Sequence, residues 1–185
     1  EYNVADNLKG ALTKNNATHF ASITDVKEVG GLLRAIDNYE GTYWVSSALK
    51  LSPYVFVRPG ELRRAEWKEF DIKRGLWIIP PEKMKMKKKH IVPLSKQALT
   101  ILSDLKAITT SKRFLFPCQR TTERPMSDNT INAALRRLGF SKQDMTGHGF
   151  RSMASTLLNE QGVNSDWIEL QLAHTDKNKV RAAYN

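Results

Sequence analysis

The stretch from Trp67 to Pro93, WKEFDIKRGLWIIPPEKMKMKKKHIVP, decides the fold. It contains three short runs, Trp67–Ile72, Trp77–Pro80 and His90–Pro93, with the length and the aromatic and β-branched content of strands. Arg74 and Gly75 make a turn between the first two, and a lysine-rich segment joins the second to the third. Short links of this kind favour an antiparallel sheet.

The pattern on either side is helical. Upstream, Asp25 and Glu28 form a capping pair, and Val26, Val29, Leu32, Leu33 and Ile36 follow at the spacing of one helix face. Asn38 and Gly41 end that segment. Tyr43 to Leu51 reads as a second, more buried helix, broken by Pro53, and Pro59 opens a short helix reaching about Ala65. Downstream, Ser95 caps a helix toward Ile108, and Phe114–Pro117 is an apolar connector. Ser127 caps a helix with Ile131, Leu135 and Leu138 inward and Gly139 at its end. Met145 to Gln161 carries a long helix stopped by Gly162, Ser165 caps a short one to Leu172, and a last helix starts near Asn178. The expected fold class is therefore α+β, mainly α: a helical domain with one small three-stranded antiparallel sheet. Residues 1–22 are polar and read as a linker, leaving 23–185 as the domain.

A chain of 185 residues is enough for one domain with a sizeable core. Lys and Arg number 29 against 19 for Asp and Glu, a formal charge of +10 that suits a polyanionic partner. The one cysteine, Cys118, excludes an intrachain disulfide framework and a thiolate metal site, and suits a reducing cytosol. No apolar run approaches the ~20 residues that span a bilayer; the most apolar stretch, Ala48–Val57, is interrupted by Lys50, Ser52 and Pro53. No secretory signal is visible at the start, and a chain running from Glu1 to Asn185 reads as a piece of a longer protein.

Three features could carry chemistry. Arg58 stands beside a helix start. His148-Gly149-Phe150-Arg151 sets His148 and Arg151 three apart on one helical face. Ala173-His174 is followed ten positions later by Tyr184. A guanidinium pairs its planar fork of donors with phosphate oxygens and does not titrate away, so two arginines and two histidines converging would make a phosphoryl site. Each feature alone has an ordinary reading: an ion-paired arginine, a chance His-x-x-Arg, a packing tyrosine.

Together and in order, Arg58 … Lys … His148-x-x-Arg151 … His174 … Tyr184 resembles the signature of the tyrosine recombinases. Longer segments strengthen the resemblance to their phage, prophage and pathogenicity-island integrases: Phe56–Leu62, His90–Ser95, Gly147–Arg151, Leu172–His174 and Val180–Asn185. The resemblance runs from about His19 onward and implies the fold of DNA breaking-rejoining enzymes. It implies that Arg58 and Arg151 hold the non-bridging oxygens of the scissile phosphate. It further implies that His148 assists proton transfer at the nucleophile, that His174 bonds a phosphate oxygen, that Tyr184 is the nucleophile, and that Glu61 steadies the arginine and histidine. The family's lysine lies in the turn between the second and third strands, where this chain offers Lys83, Lys85, Lys87, Lys88 and Lys89. The usual register from Pro93 selects Lys85; residues 83, 85 and 87 share one side if the segment is extended, so a slip of two would select a neighbour.

The activity so implied is site-specific recombination through a 3′-phosphotyrosyl intermediate, to integrate or excise a mobile element, with no metal, ATP or other cofactor. The implied partners are double-stranded DNA attachment sites, with a homotetramer on DNA for the full-length protein and a monomer for this chain. Recombination directionality or DNA-bending proteins are further candidate partners; no membrane is, and the location expected is the bacterial cytoplasm, at the nucleoid. The linker then leads from an N-terminal DNA-binding region, and the catalytic domain breaks off just after Tyr184. Ten residues do not return to one helical face, so His174 and Tyr184 meet only if the chain turns, at Thr175–Asn178, before a short helix carrying the tyrosine. The rival readings are a type IB topoisomerase-like strand transferase and a DNA-binding regulator without catalysis. A histidine metal site is disfavoured because His19, His90, His148 and His174 lack ligand spacing; His19 and His90 read as structural or surface residues.

Overall fold

The structure is a computed structural model that describes residues 20–174. Seven α-helices among these residues surround one core. They are α1 (Val26–Asp37), α2 (Tyr43–Val55), α3 (Pro59–Arg63), α4 (Lys96–Ile108), α5 (Thr130–Arg137), α6 (Gly149–Glu160) and α7 (Ser165–Gln171). α2 is the axis: α1, α4, α5 and α6 all pack against it, and its Ala48, Leu49, Leu51 and Val55 are fully buried. The caps read from the sequence form as hydrogen bonds. The Asp25 carboxylate accepts from the N–H groups of Lys27 and Glu28, and Ser95 Oγ accepts from Ala98 N.

The strands form where expected, as β1 (Phe70–Asp71), β2 (Leu76–Ile79) and β3 (His90–Pro93), antiparallel in the order β1-β2-β3. The first is shorter than read, because Trp67–Glu69 closes into a 3₁₀ turn. In β2 and β3 burial alternates, so Trp77, Ile79, His90 and Val92 face inward. The register pairs Ile79 with His90, at the end of the sheet nearest the lysine segment.

Several expectations are corrected. Pro53 does not break α2: it sits in the last turn, where only one backbone bond is lost, and the helix ends instead on the left-handed Phe56. α5 begins at Thr130 behind Asn129; Ser127 lies a turn earlier, its hydroxyl against that of Thr130. α6 begins at Gly149, not Met145, because residues 141–148 close into turns held by Asp144 on Ser141 N and by Thr146 on Gly149 N. Asn164, not Ser165, caps α7. A second, two-stranded sheet, β4 (Pro117–Cys118) with β5 (Thr121–Pro125), was not expected; its polar, exposed sequence carries no apolar alternation. Residues 20–22, read as linker, lie on the domain: Thr146 N–H and hydroxyl both donate to Ala21 O, and Ser22 Oγ donates to Gly149 O. The turn at Thr175–Asn178 and the tyrosine-bearing helix lie outside the described residues.

The lysine segment is not extended. Pro81–Lys83 is a 3₁₀ turn, which removes the alternation that would align residues 83, 85 and 87. Lys83 is drawn inward instead: its ammonium donates to Arg64 O at 2.7 Å, to Glu66 at 3.0 Å and to Glu69. Glu69 also accepts from the buried Trp77 indole, so this cluster ties the root of the β2–β3 connection to the end of α3. Burial alone would raise the Glu66 carboxyl, but hydrogen bonds from Lys68, Lys83 and Arg113 outweigh it and hold it at about 2. A depressed carboxyl adds stability above its ordinary value and loses it as pH falls from 4.5 toward about 2. Lys83→Met should therefore lower stability at neutral pH by about 2–4 kcal/mol, since it leaves buried Glu69 with the Trp77 indole and no cation, and takes one of three cations from Glu66. It should also flatten the acid loss across that window; urea titrations at both ends of the window measure both effects.

Candidate active site

Three chain segments meet at the mouth between α3, α6 and the end of α7. Arg58 is the residue before α3, and Glu61 in the first turn reaches back to it. One carboxylate oxygen accepts from Arg58 N and the other from the guanidinium, each at 2.8 Å. Glu61 is buried while the Arg58 side chain stays 23% exposed, so the carboxylate anchors the arginine from below and leaves its outer edge open.

Arg151 sits in the first turn of α6 and is 8% exposed. No carboxylate among the described residues touches it. Its guanidinium donates to Phe56 O at 2.5 Å, to Leu172 O at 2.6 Å and to His174 Nε2 at 3.0 Å. Burial and the nearby positive charge of Arg58 push it down to about 10, so it stays charged at neutral pH. Arg58 reaches the same segment through Ala173 O at 3.4 Å. The two guanidinium groups thus converge on one short stretch, Leu172–His174.

Local geometry aims that stretch. α7 ends in a Schellman turn: Ala173 N donates to Leu170 O and His174 N to Glu169 O. Ala173 takes the left-handed conformation, φ 48°, that this turn needs. The turn sends His174 back over Arg151. Its Nδ1 meets Glu169 at 2.8 Å and its Nε2 accepts from Arg151, which assigns the proton to Nδ1.

His148 immediately precedes α6, so it and Arg151 straddle the helix start instead of sharing a face within the helix. Burial lowers its proton affinity first, and the charges of Arg151 and Arg58 lower it further, against a weaker opposing pull from Glu61. His148 is thus electrically part of the arginine pair and favours the neutral form at pH 7. Lys85 stands on the exposed turn before β3 and makes no hydrogen bond or ion pair among the described residues. Tyr184 lies outside the described residues. No group of three or more His, Cys, Asp or Glu that could hold a metal ion occurs among the described residues, and no described helix is long and apolar enough to cross a membrane.

Sequence reasoning missed other participants. His90 is 7% exposed, donates from Nε2 to Gln171 O at 3.1 Å, and feels Glu61, Arg151 and Arg58. It is no surface residue: it joins the first residue of β3 to the segment carrying His174. Its inward register beside Val92 was the available signal. Gln171 in turn donates to Val55 O. Glu169 lies five residues before His174, a spacing that meets only through the Schellman turn and leaves no mark on a helical face.

Residues 23–185 match the family described as the phage integrase family. This chain belongs to it. The integrase of Enterobacteria phage P4 is 42% identical, over 98% of this chain and 44% of that protein. Prophage integrase IntA of Escherichia coli (strain K12) is 47% identical, over 70% of this chain and 31% of that one. The chain spans about half the length, or less, of the relatives it matches. Among solved structures, a lambda integrase (75-356) dimer bound to a COC′ core site superposes with a TM-score of 0.66 at 21% identity, covering 95% of this chain and 62% of that one. XerA recombinase superposes at 0.65 and 19% identity, covering 88% and 58%. These likenesses establish the fold, that of tyrosine recombinase catalytic domains.

In this integrase domain the left-handed Ala173 is the strained link. A Cβ disfavours that conformation, and glycine does not suffer from it. Ala173→Gly should stabilise the domain by about 0.5–1 kcal/mol, read as a raised Tm, because the turn and its hydrogen bonds persist.

Proposed function

We propose that this chain is the catalytic domain of a site-specific DNA recombinase that cuts and rejoins DNA through a 3′-phosphotyrosyl intermediate. The observation that carries the reading is the convergence of Arg58 and Arg151, one held by a carboxylate and one by backbone carbonyls, beside His148 and His174. Family membership supports it. Both arginines would bind the non-bridging oxygens of one phosphodiester and meet the extra negative charge of the transition state.

Tyr184 would attack phosphorus through its phenol oxygen. A phenol titrates near ~10, so the attack needs a neighbour to take its proton, and neutral His148 is suited to accept it. The P–O bond to the 5′ oxygen breaks, and that oxygen leaves as a hydroxyl with a proton from Lys85. The energy of the phosphodiester stays in the tyrosyl link, so a 5′-hydroxyl of a partner strand can reverse the step. No metal or nucleotide cofactor enters the scheme. The substrates would be double-stranded attachment sites of a mobile element, with a homotetramer of the full-length protein assembling on them, this chain alone being monomeric. Recombination directionality or DNA-bending proteins would assist, in the bacterial cytoplasm. A net charge of +10 supports the DNA partner.

A nicked suicide substrate tests the reading. The wild-type chain should form a covalent DNA adduct resistant to denaturation, and Tyr184→Phe should form none; absence of the wild-type adduct would overturn the proposal. The rate of adduct formation should also fall on acidification. The sign follows from the lowered proton affinity of His148: it is the neutral form that accepts the phenol proton, so activity is kept down through pH 6.5 and lost only below it. A single-turnover pH–rate profile checks this.

A further inference from the structure

The three histidines around the site are held in different ways. His174 has both ring nitrogens engaged, with Glu169 and Arg151, and His90 has Nε2 engaged with Gln171 O. His148 makes no side-chain hydrogen bond among the described residues. What touches its ring is Phe20, stacked face to face with centroids 4.2 Å apart and planes 12° from parallel. A hydrogen bond can fix an imidazole only by occupying a nitrogen. An aromatic face fixes the ring plane and leaves both nitrogens available.

The stack is built, not incidental. Residues 20–22 form a strap that lies across the start of α6, 127 positions away in sequence at the Ser22–Gly149 bond. Ala21 O receives both the backbone N–H and the hydroxyl of Thr146, at 3.2 and 3.3 Å. Ser22 Oγ donates to Gly149 O at 2.8 Å. The close approach needs Gly149: a Cβ there would meet Ala21 O at 2.4 Å and Ser22 Cα at 3.3 Å. The strap is therefore pinned on both sides of His148, at Thr146 and Gly149, and Phe20 follows from it onto the imidazole. Phe20 itself is 57% exposed, so its ring is not required by the core.

We propose that Phe20 is a positioning residue for His148, holding the imidazole plane by stacking so that both nitrogens stay free for the reacting groups. This rests on the recombinase reading, in which His148 takes the proton of Tyr184. The imidazole must then lie within hydrogen-bond reach and in line with the phenol, and a ring free to turn about its χ2 spends most of its time elsewhere. The strap also makes the chain just before the domain a structural part of the site.

The test is single-turnover adduct formation by this chain on a nicked suicide substrate, with DNA affinity measured in parallel. Phe20→Ala and Phe20→Leu should both slow adduct formation by about tenfold, with DNA affinity changed less than about twofold, whereas Phe20→Tyr and Phe20→Trp should stay within about threefold of wild type. The exposed site keeps all four variants folded, which circular dichroism verifies. An upfield ring-current shift of the His148 Hδ2 proton should be present in wild type, Phe20→Tyr and Phe20→Trp and absent in the other two. Phe20→Ala or Phe20→Leu within about threefold of wild type, or a loss shared equally by Phe20→Tyr and Phe20→Trp, overturns the positioning role. Absence of an adduct from wild type itself overturns the recombinase reading, a separate outcome.

Discussion

A buried guanidinium with no carboxylate partner among the described residues is the constraint on which the site depends. Arg151 is 8% exposed, and a charge so placed demands hydrogen bonds on every side it turns from water. Backbone carbonyls supply them, those of Phe56 and Leu172. Both carbonyls belong to helix C-caps, where carbonyls lack helical partners, so α2 and α7 both terminate against Arg151. Each does so with a left-handed residue, Phe56 at φ 53° and Ala173 at φ 48°. The other non-glycine residue with positive φ among those described is Lys87, in the lysine turn. Two of these three residues thus place their strain beside Arg151, whose hydrogen bonds hold it there. A carboxylate partner would have neutralised Arg151 more simply, and would also have competed with any phosphate that bound there.

Much of this was legible in sequence because local rules and global packing agree. Asp25 and Ser95 cap the helices they precede, and the strands of the Trp67–Pro93 stretch pair in the expected order, because cap chemistry and period-two burial are read over a few residues. Pro53 misled because a proline's effect depends on how much helix follows it, and here less than a turn does. Met145–His148 misled because their helical spacing is overridden by turns that Asp144 and Thr146 hold closed. Lys83 was indistinguishable from its neighbours in a run of basic residues; what sets it apart are Glu66 and Glu69, brought near by the return of the chain. The same applies to His90 and Glu169, whose partners are fixed by the ends of β3 and α7 and by no spacing in the chain.

The arrangement also explains why the site needs the sheet. Lys83 pins one end of the turn spanning residues 84–89 to α3, which carries Glu61 and follows Arg58. His90 pins the other end to Gln171, three residues before His174. The turn that presents Lys85 is therefore suspended between the two segments that carry the arginine and the second histidine. Its position relative to them is set by buried contacts at its roots, while the lysines between remain exposed. A loop held this way could yield to the DNA backbone of the proposed substrate without moving the groups beneath it.

Charge counting ties these features to the chemistry proposed. Arg58 and Arg151 contribute two positive charges, Glu61 removes one, and burial with both arginines nearby favours neutral His148 and His90. These groups sum to one positive charge, which the Glu169 carboxylate on His174 offsets, while a phosphodiester carries a single negative charge. Attack by a phenolate-like oxygen adds a second negative charge at phosphorus. In the proposed reaction, the proton that His148 would take from Tyr184 adds a positive charge beside the phosphate as that negative charge develops. A histidine already protonated could not accept the phenol proton. Burial and two nearby arginines keep His148 neutral, and so able to take up a proton in the proposed reaction.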